Sequence, residues 1–359
     1  MNPVRLAIVG SGWRAAFFAR LARLLPEQFT LVGFAARQAS TARAVTAQWG
    51  VPAVQSPEEL VRALRPDLVV TSVPRSANEA VVTALVAAGA RVLSETPPAS
   101  DLAGLRRLWS AVGGTQRVQV AEQYLLMPGH AARQEIVARG VIGKATSVQL
   151  SSTHGYHAVS MMRGLLGVGF DPVTVQARRF VADLVDPLNR AGWTDDASPK
   201  PAGTVLATLD FGDGRSGLYD FTDNQWHNQL RLRRILVRGS LGELADDTVV
   251  HLMAPRTIVT SRLTRAQLGH DLNLDGHDTE HLLFEGKVVW RNPFLGLRLM
   301  DEEIAIAAMM VAAGRWARDE GPPPYPLAHA CQDHAIALAI DEAVVSGRPV
   351  TTAREVWAS

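Results

Sequence analysis

Short apolar runs alternate with longer amphipathic ones from the start of the chain. Val4–Val9 is apolar except for Arg5 and has the length of a buried strand. Residues 15–25 show helical spacing and are stopped by Pro26. Phe29–Ala35 predicts a second strand, and 41–49 a helix closed by Gly50. Further strands are predicted at 68–72, 91–94 and 117–121. Ser56-Pro57-Glu58-Glu59 has the spacing of a capping box with proline at the first helical position. Ser76 and Glu79 repeat that spacing, and Gly89 ends the helix they open. Strands and helices in strict alternation with short connections predict a doubly wound parallel α/β sheet of the Rossmann type.

The pattern changes near Tyr124. One more helix is expected at 128–139, closed by Gly140. Longer alternating segments follow at 144–152, 172–181, 203–211, 215–222 and 230–238. They predict an α+β domain with a large, open, mostly antiparallel sheet. Residues 187–202, rich in Asp, Asn, Pro and Ser, read as a loop. Two helices close the chain at 301–318 and 329–346, separated by Gly321-Pro322-Pro323-Pro324. The expected division is a dinucleotide-binding domain at 1–123 and a substrate-binding and oligomerisation domain at 124–359. The terminal helix is a candidate to pack back on the first domain.

Composition narrows the class. With 359 residues, 47% hydrophobic and 20% charged, the chain is long enough for two folded domains. A net charge of +1 argues against a nucleic-acid footprint. Cys331 is the single cysteine, so no intrachain disulfide and no cysteine-based zinc site can form. No signal peptide is expected before the first strand, and the longest apolar stretch, 304–313, is too short for a bilayer. A soluble cytoplasmic protein is expected, with no membrane or nucleic-acid partner.

Gly10-Ser11-Gly12-Trp13-Arg14-Ala15 lies between the first strand and its helix. Gly10 permits the bend, Gly12 lets backbone N–H groups approach phosphate, and Ala15 lets helix and strand pack closely. This placement predicts a dinucleotide pyrophosphate at the helix N-terminus. Strand two ends in Ala35-Ala36-Arg37-Gln38 and lacks the carboxylate that would bind a ribose 2′-hydroxyl. Arg37 suits a 2′-phosphate or adenine stacking, so NADP(H) is favoured and NAD(H) remains possible.

These residues resemble the Gfo/Idh/MocA oxidoreductases, the family of glucose-fructose oxidoreductase and inositol dehydrogenase. The likeness runs through the glycine turn, Asp67 to Pro74, Ala88 to Glu95, Ala121-Glu122-Gln123-Tyr124, Gly140 to Lys144, His157 to Gly167 and Arg238 to Leu244. It implies hydride transfer at a carbinol or carbonyl carbon of a sugar, cyclitol or related polyol. It also implies a homodimer or homotetramer built on the second-domain sheet. Ser72, Val73, Pro74, Glu95, Thr96, Pro97 and Gln123 join Gly10, Ser11, Gly12, Trp13, Arg14, Ala15 and Arg37 as cofactor-binding candidates. The family further implies a cis Thr96–Pro97 bond and places its histidine at His157.

The sequence departs from the family at several points. Thr96 stands where the family's Glu-Lys-Pro lysine is usual, and a threonine hydroxyl cannot act as a cation. Thr153 replaces an aspartate four residues before the histidine, and Tyr124-Leu125-Leu126 replaces an aromatic-arginine pattern. His157 is therefore the first candidate for proton transfer. Tyr124 and Thr96 complete the catalytic set, with Tyr156 and His154 nearby. A buried structural histidine is the plainer reading of His157, and packing the plainer reading of both tyrosines. Two further readings stay open: a glycoside-cleaving enzyme that uses the cofactor as an internal redox tool, and a non-catalytic cofactor or ligand sensor.

Other clusters read as structural. Asp271 to Gly276 matches half of a calcium loop, but its twelfth position is Leu282 rather than glutamate. Asp275, His277, Asp278, Glu280 and His281 read as a polar loop before a strand at 282–284, and no metal site is expected. Arg231, Arg233, Arg234 and Arg238 share a strand-like segment, either a solvent-facing or oligomer-facing sheet surface or a site for an acidic substrate or partner. Asp333 and His334 are expected to pack the terminal helix, with Cys331 inert.

Overall fold

Six short parallel strands in the order β3-β2-β1-β4-β5-β6 form the first sheet. They are β1 (Val4–Val9), β2 (Phe29–Ala35), β3 (Ala53–Val54), β4 (Leu68–Thr71), β5 (Val92–Ser94) and β6 (Val118–Val120). The helices between them are α1 (Trp13–Leu24), α2 (Ala39–Trp49), α3 (Pro57–Leu64), α4 (Arg75–Ala87) and α5 (Leu102–Val112). All four residues of β4 are buried, as are all three of β5 and of β6, which is why these strands read as unbroken apolar runs. The strand order reverses between β1 and β4, which opens a crevice at the carboxyl ends of the strands.

This computed structural model describes residues 2–189, 191–269 and 275–358. The chain divides into two units, 2–127 with 293–332, and 128–292 with 333–358. A cut of the sequence at residue 123 thus misses a second stretch of the first unit. That stretch carries α8 (Asp301–Ala317), whose Gly314 packs against Val4 and Phe29. It also adds to the sheet edge, where Val120 donates to the Tyr325 carbonyl at 2.9 Å. The division falls within α9 (Leu327–Ser346).

The second unit begins with α6 (Pro128–Ala138), β7 (Ala145–Ser151) and α7 (Gly155–Leu166). Its long strands are β8 (Thr174–Leu184), β11 (Lys200–Asp210), β12 (Ser216–Thr222) and β13 (Arg234–Gly239). Between β8 and β11 lies the hairpin β9 (Leu188–Asn189) and β10 (Gly192–Trp193). With β7, β14 (Gly242–Ala245), β15 (Thr248–Ala254), β16 (Thr257–Arg262) and β20 (Val350–Thr351), the long strands make a nine-stranded sheet. Its order is β16-β15-β14-β13-β7-β12-β11-β8-β20, antiparallel except for the β12–β7 pair. β17 (Thr264–Leu268), β18 (Asp278–Phe284) and β19 (Lys287–Arg291) form a separate small sheet.

Several expected elements differ. Ser56 caps α3 by accepting from Glu59 N at 3.1 Å, with Pro57 in the first turn as expected. At α4 the expected box does not form: Pro74 occupies the cap, and Glu79 pairs with Arg107 of α5. The 187–202 loop contains the β9–β10 hairpin and the start of β11. The polar segment before residue 282 is already strand from Asp278. Backbone pairing with β17 overrides its loop-like composition. Of the four arginines read as one strand, only Arg234 and Arg238 lie on β13. The calcium-like residues Asp271 to Leu274 lie outside the described residues.

Candidate active site

The glycine turn is stitched to three strand ends. Gly10 N donates to the Ala35 carbonyl at 3.0 Å, and Ser72 N donates to the Val9 carbonyl at 2.8 Å. A β-carbon on Gly10 would lie 2.0 Å from the Ser72 carbonyl oxygen, and the residue has φ +129°. Only glycine fits there. A β-carbon on Gly12 would meet nothing within 4 Å. Gly12 is the N-cap of α1, which has no side-chain cap and no acidic residue in its first turn. The helix end is therefore left open to an anion, and a dinucleotide pyrophosphate fits this cradle. Ala15 is fully buried against the sheet, while Trp13 and Arg37 are exposed.

Arg14 departs from its sequence-based role. Its side chain turns into the unit and is largely buried. Nε donates to Glu95 Oε2 at 3.1 Å and Nη1 to Glu302 Oε1 at 2.9 Å. With its amide oriented to satisfy both neighbours, Gln123 accepts from Arg14 Nη2 at 3.1 Å and donates to the Ala121 carbonyl at 2.8 Å. Burial alone would ease loss of the Arg14 proton. Glu95 and Glu302 outweigh it and hold the guanidinium above its ordinary range.

The other oxygen of Glu95 accepts from Thr96 N at 3.2 Å and Thr96 Oγ1 at 3.4 Å. The Thr96 hydroxyl proton is directed at a carboxylate, which leaves its lone pairs to accept from a ligand. The Thr96–Pro97 peptide is cis. Buried Asn78 fixes this loop: its Nδ2 donates to Ser94 Oγ at 2.8 Å and to the Pro98 carbonyl at 2.9 Å, while its Oδ1 accepts from Thr71 Oγ1 at 2.9 Å. Ser72 and Val73 are half-buried and Pro74 exposed at the end of β4. Tyr124 begins a short 3₁₀ turn after β6, its N–H donating to Glu122 Oε1 at 3.1 Å.

In the second unit, His157 lies buried in the first turn of α7. Its ring centroid is 5.1 Å from that of His154 and 5.2 Å from that of Tyr156. His154 in turn meets Trp226 edge-on at 5.7 Å, and Trp226 stacks on Phe221 at 5.8 Å. Thr153, fully buried, directly precedes this group. Tyr219 Oη accepts from Gly155 N at 3.0 Å, and burial pushes its ionisation well above the ordinary phenol range. Tyr219 therefore stays a neutral hydrogen-bonding group at the start of α7. Cys331 is buried.

Glu302, Asn78, Tyr219 and Trp226 were absent from the sequence-based set. No motif marks them. Ion pairing over 288 positions, as between Arg14 and Glu302, leaves no local spacing to read.

These features define a Rossmann-type dinucleotide-binding unit joined to an open-sheet unit that carries a histidine at a helix start. Residues 4–123 match the model of the Gfo/Idh/MocA oxidoreductase family with its NAD-binding Rossmann fold. No curated protein matches the chain. Among solved structures, an oxidoreductase domain protein from Kribbella flavida is 19% identical, with 98% of this chain and 100% of that one covered at a TM-score of 0.72. A myo-inositol dehydrogenase from Corynebacterium glutamicum is also 19% identical, with coverage of 97% and 98% and a TM-score of 0.65. The WlbA dehydrogenase from Bordetella pertussis, solved with NADH and UDP-GlcNAcA, is 15% identical, with coverage of 97% and 98% and a TM-score of 0.65. At these identities the likeness establishes the shared fold. No described helix is long and apolar enough to cross a membrane.

Proposed function

We propose that the protein is a dehydrogenase or reductase that moves a hydride between a nicotinamide cofactor and a carbinol or carbonyl carbon of a sugar-like compound. The observation that carries this reading is the Gly10–Gly12 cradle under an uncapped helix end. The cofactor supplies the hydride acceptor or donor. Backbone N–H groups at Gly12 and the first turn of α1 hold its phosphates. Thr96, held by Glu95, accepts a hydrogen bond from a hydroxyl or amide. His157 removes or returns the hydroxyl proton, the task for which an imidazole near neutral pH is suited. Tyr124 is proposed to donate to the reacting oxygen. The neutral Thr96 also favours a second reading, a sensor that binds cofactor without turnover. Cofactor binding combined with inertness across a sugar and polyol panel would select it.

NADP(H) is the proposed cofactor. Buried Ala36 offers no carboxylate to a ribose 2′-hydroxyl, and exposed Arg37 offers a cation at the end of β2. Fluorescence titration is expected to show NADPH binding tighter than NADH. Arg37→Ala should weaken NADPH by about tenfold, the worth of one charge-assisted hydrogen bond, and leave NADH nearly unchanged. Equal losses for both would assign Arg37 to adenine stacking instead.

We also propose a homodimer or homotetramer assembled through the nine-stranded sheet. Phe180, Leu206, Val250, Leu252 and Ile258 lie on one face of it and are exposed, interleaved with Arg178, Asp220 and Arg234. An apolar set of this kind is better covered than wet. Sedimentation at micromolar concentration should give more than one chain per particle. Phe180→Asp combined with Leu206→Asp should shift it to monomer, and a monomeric wild type would overturn the proposal.

A further inference from the structure

The carboxyl edge of the parallel sheet is electrically polarised. At the ends of β2 and β4 stand exposed Arg37 and Arg75. At the ends of β5 and β6 stand Glu95 and buried Glu122, and Glu302 joins them from the first turn of α8. Arg14 pairs with both Glu95 and Glu302. One guanidinium against two carboxylates leaves this linked group one negative charge. The group is stiff. Arg14 is held from both sides and by Gln123, and Glu95 is held by Arg14 and Thr96. A fixed, partly buried charge acts over several ångströms with little screening.

In a doubly wound sheet, a dinucleotide lies across the carboxyl edge with its pyrophosphate at the β1 turn. Its adenosine end then runs toward β2 and Arg37, and its nicotinamide end past β4 toward the acids at β5 and β6. The nicotinamide ring is a cation when oxidised and neutral when reduced. We infer that the Glu95–Arg14–Glu302 group sets the redox-state preference of the cofactor site, stabilising the oxidised ring over the reduced one. This rests on the proposed nicotinamide-binding function. Glu302 is the specificity-determining member, since removing its charge leaves Arg14 and Glu95 to neutralise each other.

The experiment compares dissociation constants of oxidised and reduced cofactor, using NAD+ with NADH and NADP+ with NADPH. Wild type, Glu302→Gln and Arg14→Gln are titrated by calorimetry. Glu302→Gln keeps the side-chain shape and removes the charge. It should weaken the oxidised form roughly 3–10-fold relative to the reduced form, the scale of one charge several ångströms away at intermediate dielectric. Arg14→Gln leaves two carboxylates uncompensated and should move the ratio in the opposite direction. Glu320→Gln, an exposed acid beyond the end of α8, serves as the charge control and should leave the ratio unchanged. If oxidised and reduced forms keep the wild-type ratio in both Arg14→Gln and Glu302→Gln while still binding, the inference is overturned and the function proposal survives. If wild type binds neither form of either cofactor, the function proposal fails and the inference with it.

Discussion

Arg163→Met is expected to destabilise the second unit by about 3–5 kcal/mol, the usual cost of stranding one member of a buried ion pair. Arg163 on α7 donates to Asp333 Oδ1 on α9, and the two side chains are 3% and 0% exposed. A second guanidinium nitrogen donates to the Gly169 carbonyl at 2.9 Å, and the Phe170 ring lies 5.5 Å away. Removing the arginine takes the guanidinium from a fully buried carboxylate and one donor from the Gly169 carbonyl. The paired replacement Arg163→Met with Asp333→Leu removes both charges and should recover most of the loss. Urea denaturation of the single and double variants measures this directly. A loss below 1 kcal/mol in the single variant would show that the pair contributes little. The result bears on function because α7 also carries His157, so the pair holds the helix on which the proposed proton carrier sits.

His157→Ala is expected to lower turnover ~10²–10⁴-fold, the range for loss of a general acid or base. Cofactor affinity should not change, because the phosphate cradle belongs to the first unit. The ring sits between His154 and Tyr156 in edge contacts, which fix its plane. His157→Gln keeps a hydrogen-bonding side chain of similar size and separates packing from proton transfer. If His157 acts in chemistry, glutamine should remain as impaired as alanine, and the pH dependence of kcat should lose one limb. Full turnover in either variant, on any sugar or polyol that wild type accepts, would remove His157 from the mechanism. Recovery by glutamine alone would make it a packing residue.

Much of the first unit was legible because its signals are local. A parallel strand covered on both faces must be apolar throughout, a tight phosphate turn needs glycine, and a helix cap needs its acceptor at a fixed offset. The glycine turn, five of the six strands of the parallel sheet and the Ser56 cap accordingly stand where the sequence places them. The second unit was legible as a mostly antiparallel sheet, but β9, β10, β14 to β17, β19 and β20 were not foreseen, and in the first unit β3 and α5 were not. Their strands are short or half-exposed, and what stabilises them is pairing with neighbours distant in sequence.

The site divided the same way. Residue type and order alone determined Gly10, Gly12 and the missing acid at Ala36. The resemblance, not spacing, pointed to His157 and to the cis bond before Pro97. Only the tertiary structure decided where Arg14 points. Its position in the phosphate turn suggests an anion ligand, yet burial beside Glu95 and Glu302 makes it the counterion of two carboxylates. Likewise Glu79 reads as a cap, and the approach of α5 turns it toward Arg107. A long charged side chain can reach many partners, and sequence spacing specifies only those within a helical turn. Which partner wins depends on the elements that the fold packs beside it.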